Sequence, residues 1–243
     1  MAHILNKAMI FAAGRGERMR PLTDTRPKPL LEAGGKPLIV WQIERLAKAG
    51  FEAIVINHAW LGEQIERELG DGSRWGVRLA YSAEAEALET AGGIAQALPL
   101  IEENGMPQVF AAVSGDVYCE FDYTGLREHA ARMASALEPG MHLVMVPNPA
   151  FHLTGDFALD GGQLWLDGSP RYTFGNIGLY DTRMFRALPR GTRRALTPYY
   201  HEAIGAGRVS GELYDGPWEN VGTPAQLQAL DEVLRMRGLA APS

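Results

Sequence analysis

Between residues 14 and 30 the chain reads Gly14-Arg15-Gly16-Glu17-Arg18-Met19-Arg20-Pro21-Leu22-Thr23, and then Arg26-Pro27-Lys28-Pro29-Leu30. Glycines so closely spaced let backbone N–H groups approach phosphate oxygens, while arginines and lysines add charge-assisted contacts. From Arg15 to Lys36 there are six basic and three acidic residues, a local +3 that leaves −9 on the rest of the chain. The positive field therefore sits where an anion would dock. Two familiar phosphate loops fail on spacing. The dinucleotide fingerprint needs a third glycine where this chain has Met19, and the Walker loop needs Ser or Thr where Gly35-Lys36 is followed by Pro37. A bare G-x-G reads equally well as a tight turn with solvated basic neighbours, so the longer string has to carry the argument.

A second source of chemistry is Asp116, which follows the apolar run at 109–113 through Ser114-Gly115. A hard carboxylate oxygen at a strand end, close to a phosphate loop, suits Mg²⁺, although Asp after a strand is also a common turn former. Tyr81-Ser82-x-Glu84 and Leu88-Glu89-Thr90-Ala91-Gly92-Gly93 fall where a strand gives way to a helix. That edge is where open α/β sheets bind ligands. Taken alone, Glu84 reads as well as one more charge in an acidic, solvated loop. The six histidines are scattered and His201-Glu202 lacks a second histidine at the metalloprotease spacing, which argues against zinc. No serine sits in a G-x-S-x-G elbow, and Cys119 reads as a half-buried structural thiol rather than a nucleophile.

These residues need elements to hold them. Apolar runs at 8–11, 53–56, 77–81, 109–113 and 143–146 have the length of buried strands. Between them, Ile39, Ile43, Leu46 and Ala47 fall on one helical face, as do Leu61, Ile65 and Leu69. Further helices are expected at 90–98 and 126–137. The alternation predicts an α/β fold: a mostly parallel sheet with helices on both faces. After Pro147 glycines and aspartates break the texture, and short, partly antiparallel strands are expected at 156–159, 163–166 and 176–180. Helices then resume at 181–188, at 198–206 and around Leu227, Leu230 and Leu234. No Ser/Gly or Pro-rich linker divides the chain, so residues 1–243 are expected to form a single domain. Its nucleotide-binding half would span about 1–118 and its sugar-binding half about 119–243.

The string Gly14-x-Gly16-x-Arg18-x-x-Pro21-x-Thr23 with Pro27-Lys28-Pro29 resembles the signature of the sugar-phosphate nucleotidyltransferases. With the later blocks it is most similar to the N-acetylmuramate α-1-phosphate uridylyltransferases of peptidoglycan recycling. The resemblance implies a Rossmann-like three-layer sandwich, the nucleotide-diphospho-sugar transferase fold. It implies transfer from UTP to N-acetylmuramate 1-phosphate with release of pyrophosphate. Nucleotide contacts are then expected from Ala12, Ala13, Gly14, Gly16, Glu17, Arg18, Lys28, Glu84 and Glu89. Among these, Glu84 would accept from the uracil N3–H, with the Glu89 backbone beside it. Arg18, Lys28 and Asp116 would be catalytic. Ser114, Gly155, Asp156, Asn176 and Asn220 would meet the sugar 1-phosphate, and Mg²⁺ would sit on Asp116 and Asn220. Two positions depart from the family pattern: the late Trp-x-Asp-Val-Gly-Thr block reads Trp218-Glu219-Asn220-Val221-Gly222-Thr223, and Ser114 stands where relatives often carry Asn.

Other readings remain. A hexose 1-phosphate transferase of the mannose guanylyl or glucose thymidylyl type would use the same blocks. A non-catalytic nucleotide-sugar-binding regulatory module would be consistent with Asn220 and Ser114. A dinucleotide-dependent oxidoreductase is disfavoured by Met19. The net charge of −6 argues against a general nucleic-acid binder. No apolar stretch approaches a membrane span, and no signal-peptide h-region precedes the first strand, so a cytoplasmic location is expected. One cysteine allows no intrachain disulfide. Only about twenty residues follow Thr223, too few for the C-terminal repeat domain through which larger relatives oligomerise, so a monomer is expected.

Overall fold

A computed structural model describes residues 5–239. The elements run β1 (Lys7–Phe11), β2 (Glu32–Ala33), β3 (Lys36–Pro37), α1 (Leu38–Lys48), β4 (Ala53–His58), α2 (Gly62–Leu69), β5 (Arg78–Ala83), α3 (Glu89–Ile101), β6 (Val109–Ser114) and β7 (Val117–Cys119). They continue through α4 (Leu126–Ser135), β8 (Met141–Val146), β9 (Phe157–Asp160), β10 (Gln163–Trp165), β11 (Arg171–Asp181), α5 (Thr197–Gly205), β12 (Val209–Leu213), β13 (Trp218–Asn220) and α6 (Pro224–Met236).

Nine strands form one sheet in the order β5-β4-β1-β6-β11-β8-β12-β10-β9. All point the same way except β11 and β10, which run antiparallel to their neighbours. The expected mixed sheet is present, and both halves of the chain contribute strands to it. Alternate residues of each strand serve opposite faces. In β1, Ala8 and Ile10 pack with Ile39 and Ile43 of α1, Ile65 of α2 and Leu126 of α4. Met9 faces the other way, with Ile94 of α3 and Ala203 of α5. The result is a three-layer α/β/α sandwich.

The second half is more continuous than the sequence suggested. β11 is one strand of eleven residues, bridging β6, β8 and β9. Its register against β8 shifts between Phe174 and Gly178, where Asn176 takes φ +57. The helix expected at 181–188 reduces to one 3₁₀ turn at Thr182–Met184. The Asp181 carboxylate accepts from the Arg183 backbone and pairs with its guanidinium, while Thr182 is buried and exchanges hydrogen bonds with Gln108. Those local bonds hold the backbone out of a continuing helix. The sequence gives no expectation of β7 and β13, because three residues are too few to show a strand period.

Candidate active site

Three 3₁₀ turns, at Glu17–Met19, Leu22–Asp24 and Lys28–Leu30, fold the basic loop back on itself. Gly16 takes φ +67, and a Cβ there would lie 3.0 Å from Thr23 Cγ2 and 3.1 Å from Lys28 Cβ, so this turn requires glycine. Thr23 Oγ1 closes it by donating to the Gly16 carbonyl at 2.8 Å. Met19, where a dinucleotide loop would have glycine, is fully buried with Leu31, Trp41, Tyr118, Val221 and Leu234. The loop is thereby anchored to α6. At Gly14 no described atom beyond its chain neighbours lies within 4 Å of where a Cβ would stand, and Glu17 is also exposed, so this stretch is open to an incoming ligand.

Packing sorts the six basic residues. Arg15 donates to the Thr23 carbonyl at 2.7 Å and lies over the Trp60 ring, Arg20 pairs with Asp24, Arg26 with Glu68, and Lys36 with Glu44. Lys28 pairs with Asp116, the two side chains being 11% and 27% exposed. The Arg18 side chain is exposed and, among the described residues, makes no ion pair or hydrogen bond. Its Nη2 lies 3.3 Å from where a Cβ on Gly222 would be, beside the late block. Arg18 is thus the uncommitted cation of this loop among the described residues, and Lys28 is the one that pairs with the carboxylate beyond β6.

Asp116 lies just beyond β6, whose end is tied to β1 by Gly115 N–H donating to the Phe11 carbonyl at 2.9 Å. The antiparallel pair of β7 and β13 sets Asn220 opposite Val117, and Val221 N–H donates to the Asp116 carbonyl at 3.1 Å. That pairing brings the late block to the strand end. The block is itself held by a capping arrangement in which Thr223 Oγ1 accepts from Gln226 N–H and Gln226 Oε1 accepts from Gly222 N–H. The Asn220 side chain hydrogen-bonds to nothing among the described residues. One carboxylate and one uncommitted amide oxygen form a hard donor set, which fits a cation of the Mg²⁺ kind completed by phosphates and water.

Glu84 is 6% exposed, not in a solvated loop, and both of its oxygens are engaged: Asn57 Nδ2 donates to Oε1 at 2.7 Å and Leu88 N–H to Oε2 at 2.8 Å. Burial pushes its carboxyl above the usual range, against the lowering effect of those two bonds. Asn57 in turn accepts from Ala12 N–H at 3.1 Å. The Ala12 N–H is thereby already committed, and Glu84 braces the ends of β1 and β4 against the start of α3. The close approach of α3 depends on Gly93, where a Cβ would lie 2.8 Å from Asn57 Nδ2. Ala13 is half-buried next to the open loop. Glu89 takes φ +60 at the helix start, and its carboxylate pairs with Arg193.

Two adjoining clefts extend from here. One, of about 330 Å³, is lined by Phe11, Glu89, Thr90, Ser114 and Asn176 among others. The second, of about 470 Å³, includes Asp156, Phe157, Trp218 and Asn220 in its lining. Phe174, Asn176, Thr197 and Tyr200 belong to both, which makes them one continuous groove. Asn176 stands at the junction, presented by the left-handed bulge in β11, and its amide makes no hydrogen bond among the described residues. Trp218 Nε1 donates to the Gly175 carbonyl of that bulge at 2.9 Å. Asp156 lines the groove, but its oxygens are shared with His152 Nε2 at 3.0 Å and Phe174 N–H at 2.7 Å. Gly155 is buried against the Tyr172 backbone, so its place is structural. Cys119 is fully buried, not half-buried. Sequence reasoning missed Asn57, Phe174, Tyr200 and Trp218. A polar residue closing the apolar run at 53–56 was the available sign of the first, whereas the aromatics converge only in space.

Residues 7–149 match the nucleotidyl transferase family. An N-acetylmuramate alpha-1-phosphate uridylyltransferase of Neisseria meningitidis is 49% identical over 226 residues, covering 91% of this chain and 95% of that one. A mannose-1-phosphate guanylyltransferase catalytic subunit beta of Danio rerio is 36% identical over 149 residues, 58% of this chain and 41% of its own length. Among solved structures, a putative glucose-1-phosphate thymidylyltransferase from Bacillus anthracis in complex with a sucrose aligns with a TM-score of 0.81 at 20% identity, covering 94% of this chain and 95% of that one. HddC from Yersinia pseudotuberculosis complexed with GMP-PN aligns with a TM-score of 0.74 at 19% identity, covering 95% and 100%. These structural likenesses show the fold.

Proposed function

The chain belongs to the nucleotidyl transferase family, and from that premise we propose that it joins UTP to N-acetylmuramate 1-phosphate, giving UDP-N-acetylmuramate and pyrophosphate. An oxygen of the sugar phosphate attacks the α-phosphorus of UTP, the bond to the bridging oxygen of the β-phosphate breaks, and pyrophosphate departs. A phosphate monoester has its second pKa near ~6, so at neutral pH the attacking oxygen is already mostly ionised and no general base is needed. The protein has to align two polyanions in line and offset their repulsion.

The observation that carries this reading is the Lys28–Asp116 pair with the uncommitted Arg18 and Asn220 side chains beside it. Lys28, fixed by Asp116, lies between the two substrates and offsets charge as the new bond forms. Arg18 holds the departing β- and γ-phosphates. The Gly14–Gly16 turn offers bare backbone to the triphosphate, and the Glu89 backbone borders the base. Asp116 and Asn220 would hold Mg²⁺, which when bound supplies positive charge to the phosphate oxygens. Asn176 can donate and accept toward hydroxyl and N-acetyl groups, and Phe174, Tyr200 and Trp218 give the sugar apolar surface. Ser114 borders the same groove. We place the protein in the cytoplasm as a monomer acting in peptidoglycan recycling. Among the described residues no helix is long and apolar enough to cross a membrane.

The test is pyrophosphate release from the purified protein with Mg²⁺ and each of UTP, dTTP, GTP and CTP, paired with N-acetylmuramate, N-acetylglucosamine, glucose and mannose 1-phosphates. Release with UTP and N-acetylmuramate 1-phosphate is expected. Preference for GTP and mannose 1-phosphate would move the substrate assignment, and no release from any pair would refute the catalytic one.

A further inference from the structure

Histidines scattered along the sequence converge in the fold at a place remote from the catalytic groove. His129 of α4, His142 of β8 and Glu212 of β12 bring their ligand-type atoms within 4.8 Å of one another. His142 lies level with Ala111 of β6 across Leu179, five residues short of Asp116 along the sheet. Its face of β8 continues with Val144 and Val146, both buried, so an imidazole that is 0% exposed interrupts an apolar row.

The geometry points to a transition-metal site in which His129, His142 and Glu212 bind one divalent ion of the Zn²⁺ type, clamping α4 onto the sheet. Two imidazoles and a carboxylate are the donors that such ions select, in contrast to the all-oxygen set at Asp116 and Asn220. His142 Nε2 and Glu212 Oε1 are 3.1 Å apart. Zn–N and Zn–O bonds of roughly 2.0–2.2 Å in a tetrahedron put neighbouring ligand atoms about 3.4 Å apart. The His129 ring stacks on His142 with centroids 3.7 Å apart and planes at 26°, and being half-buried on a helix surface it can rotate its nitrogen toward the ion. Water completes the coordination.

Metal ligands must be deprotonated, so the ion takes the place of the proton between His142 Nε2 and Glu212 Oε1. Ser210, directly opposite His142 in the β8–β12 register, places its hydroxyl 2.9 Å from His142 Nδ1. A hydroxyl can donate or accept, so Nδ1 stays satisfied with or without the ion, and the contact orients the ring as outer-shell partners do. Arg132 Nη2 lies 3.0 Å from His129 Nδ1 and competes with an ion for that nitrogen. Its side chain is 63% exposed and has Glu128 within 3.9 Å, so it has an alternative partner once an ion is bound.

The full chain, stripped with chelator and titrated with Co²⁺, reads the site directly through visible absorption. Wild type should bind one Co²⁺ that Zn²⁺ displaces and excess Mg²⁺ does not, and Zn²⁺ should raise its melting temperature. His129→Ala should lose the absorption band and the thermal shift while melting normally without metal. Ser210→Ala should bind about 10- to 100-fold more weakly. Arg132→Gln should bind more tightly. Pyrophosphate release with Mg²⁺ should be unchanged in His129→Ala. A wild-type chain without a Co²⁺ band, or a His129→Ala chain that binds as tightly, would overturn the site.

Discussion

Replacing Glu84 by alanine separates its two roles, base reader or internal brace. The substitution strips the partner from two buried donors, Leu88 N–H and Asn57 Nδ2. An unsatisfied buried donor costs about 1–3 kcal/mol, a gross loss of ~2–6 kcal/mol, offset in part because a carboxylate disfavoured by burial is removed as well; the net expectation is about 2–4 kcal/mol. Urea denaturation of both proteins measures it. Glu84 titrates above the ordinary 4.5, so the folded state keeps a proton that the unfolded chain has lost. Stability from this group is then fully present below that value and declines as pH rises through the folded pKa. The alanine variant lacks this term, so its deficit should be larger near ~pH 5 than near ~pH 8. Choice among nucleoside triphosphates should survive while the KM for all of them rises together, because Ala12 and Leu88 lose their common brace. A stability change under ~0.5 kcal/mol, the scale of an ordinary surface substitution, accompanied by lost UTP preference would refute the brace and restore Glu84 as the base reader.

Arg18→Ala should leave stability within about 0.5 kcal/mol, since the side chain has no partner among the described residues, and should raise the KM for the nucleotide roughly 10- to 150-fold, the worth of one charge-assisted contact; steady-state kinetics beside a melting curve decide it, and an unchanged KM removes Arg18 from the site. Lys28→Ala should lower kcat by about 10²- to 10³-fold with the circular dichroism spectrum intact, and near-normal turnover would contradict its place between the substrates. Met19→Ala empties a fully buried position in the cluster that joins the loop to α6 and should cost about 2–5 kcal/mol by chemical denaturation; a loss below that range would mean the loop is anchored elsewhere.

Much of the frame was legible because it follows local periodicity. The apolar runs that became β1, β4, β5, β6 and β8, and the four-residue spacing that became α1 and α2, are patterns a single segment carries by itself. The loop's chemistry was legible for a related reason: glycines and basic residues crowded into one short stretch stay together whatever the fold does. Failure came where local and distant contacts compete. Residues 181–188 have helical spacing, yet Asp181, Arg183 and Gln108 hold the segment in a single turn. Whether Glu84 is solvated or buried was not legible, because the burial that defines it comes from Asn57 and the α3 start.

The sequence by itself determined the α/β alternation, the phosphate-type loop and a carboxylate at a strand end, since each is written within a few consecutive residues. Tertiary structure decided which of six basic residues remain available, because ion pairs to Asp24, Glu68 and Glu44 engage three of them and Trp60 with the Thr23 carbonyl holds Arg15. It also decided that Asn220 stands beside Asp116, through a three-residue strand pairing that no local propensity announces. The same holds for His129, His142 and Glu212, which meet only because a helix packs over two neighbouring strands. Such encounters depend on closing long loops against chain entropy, a cost met by the cooperative burial of the core and carried by no single segment of the chain.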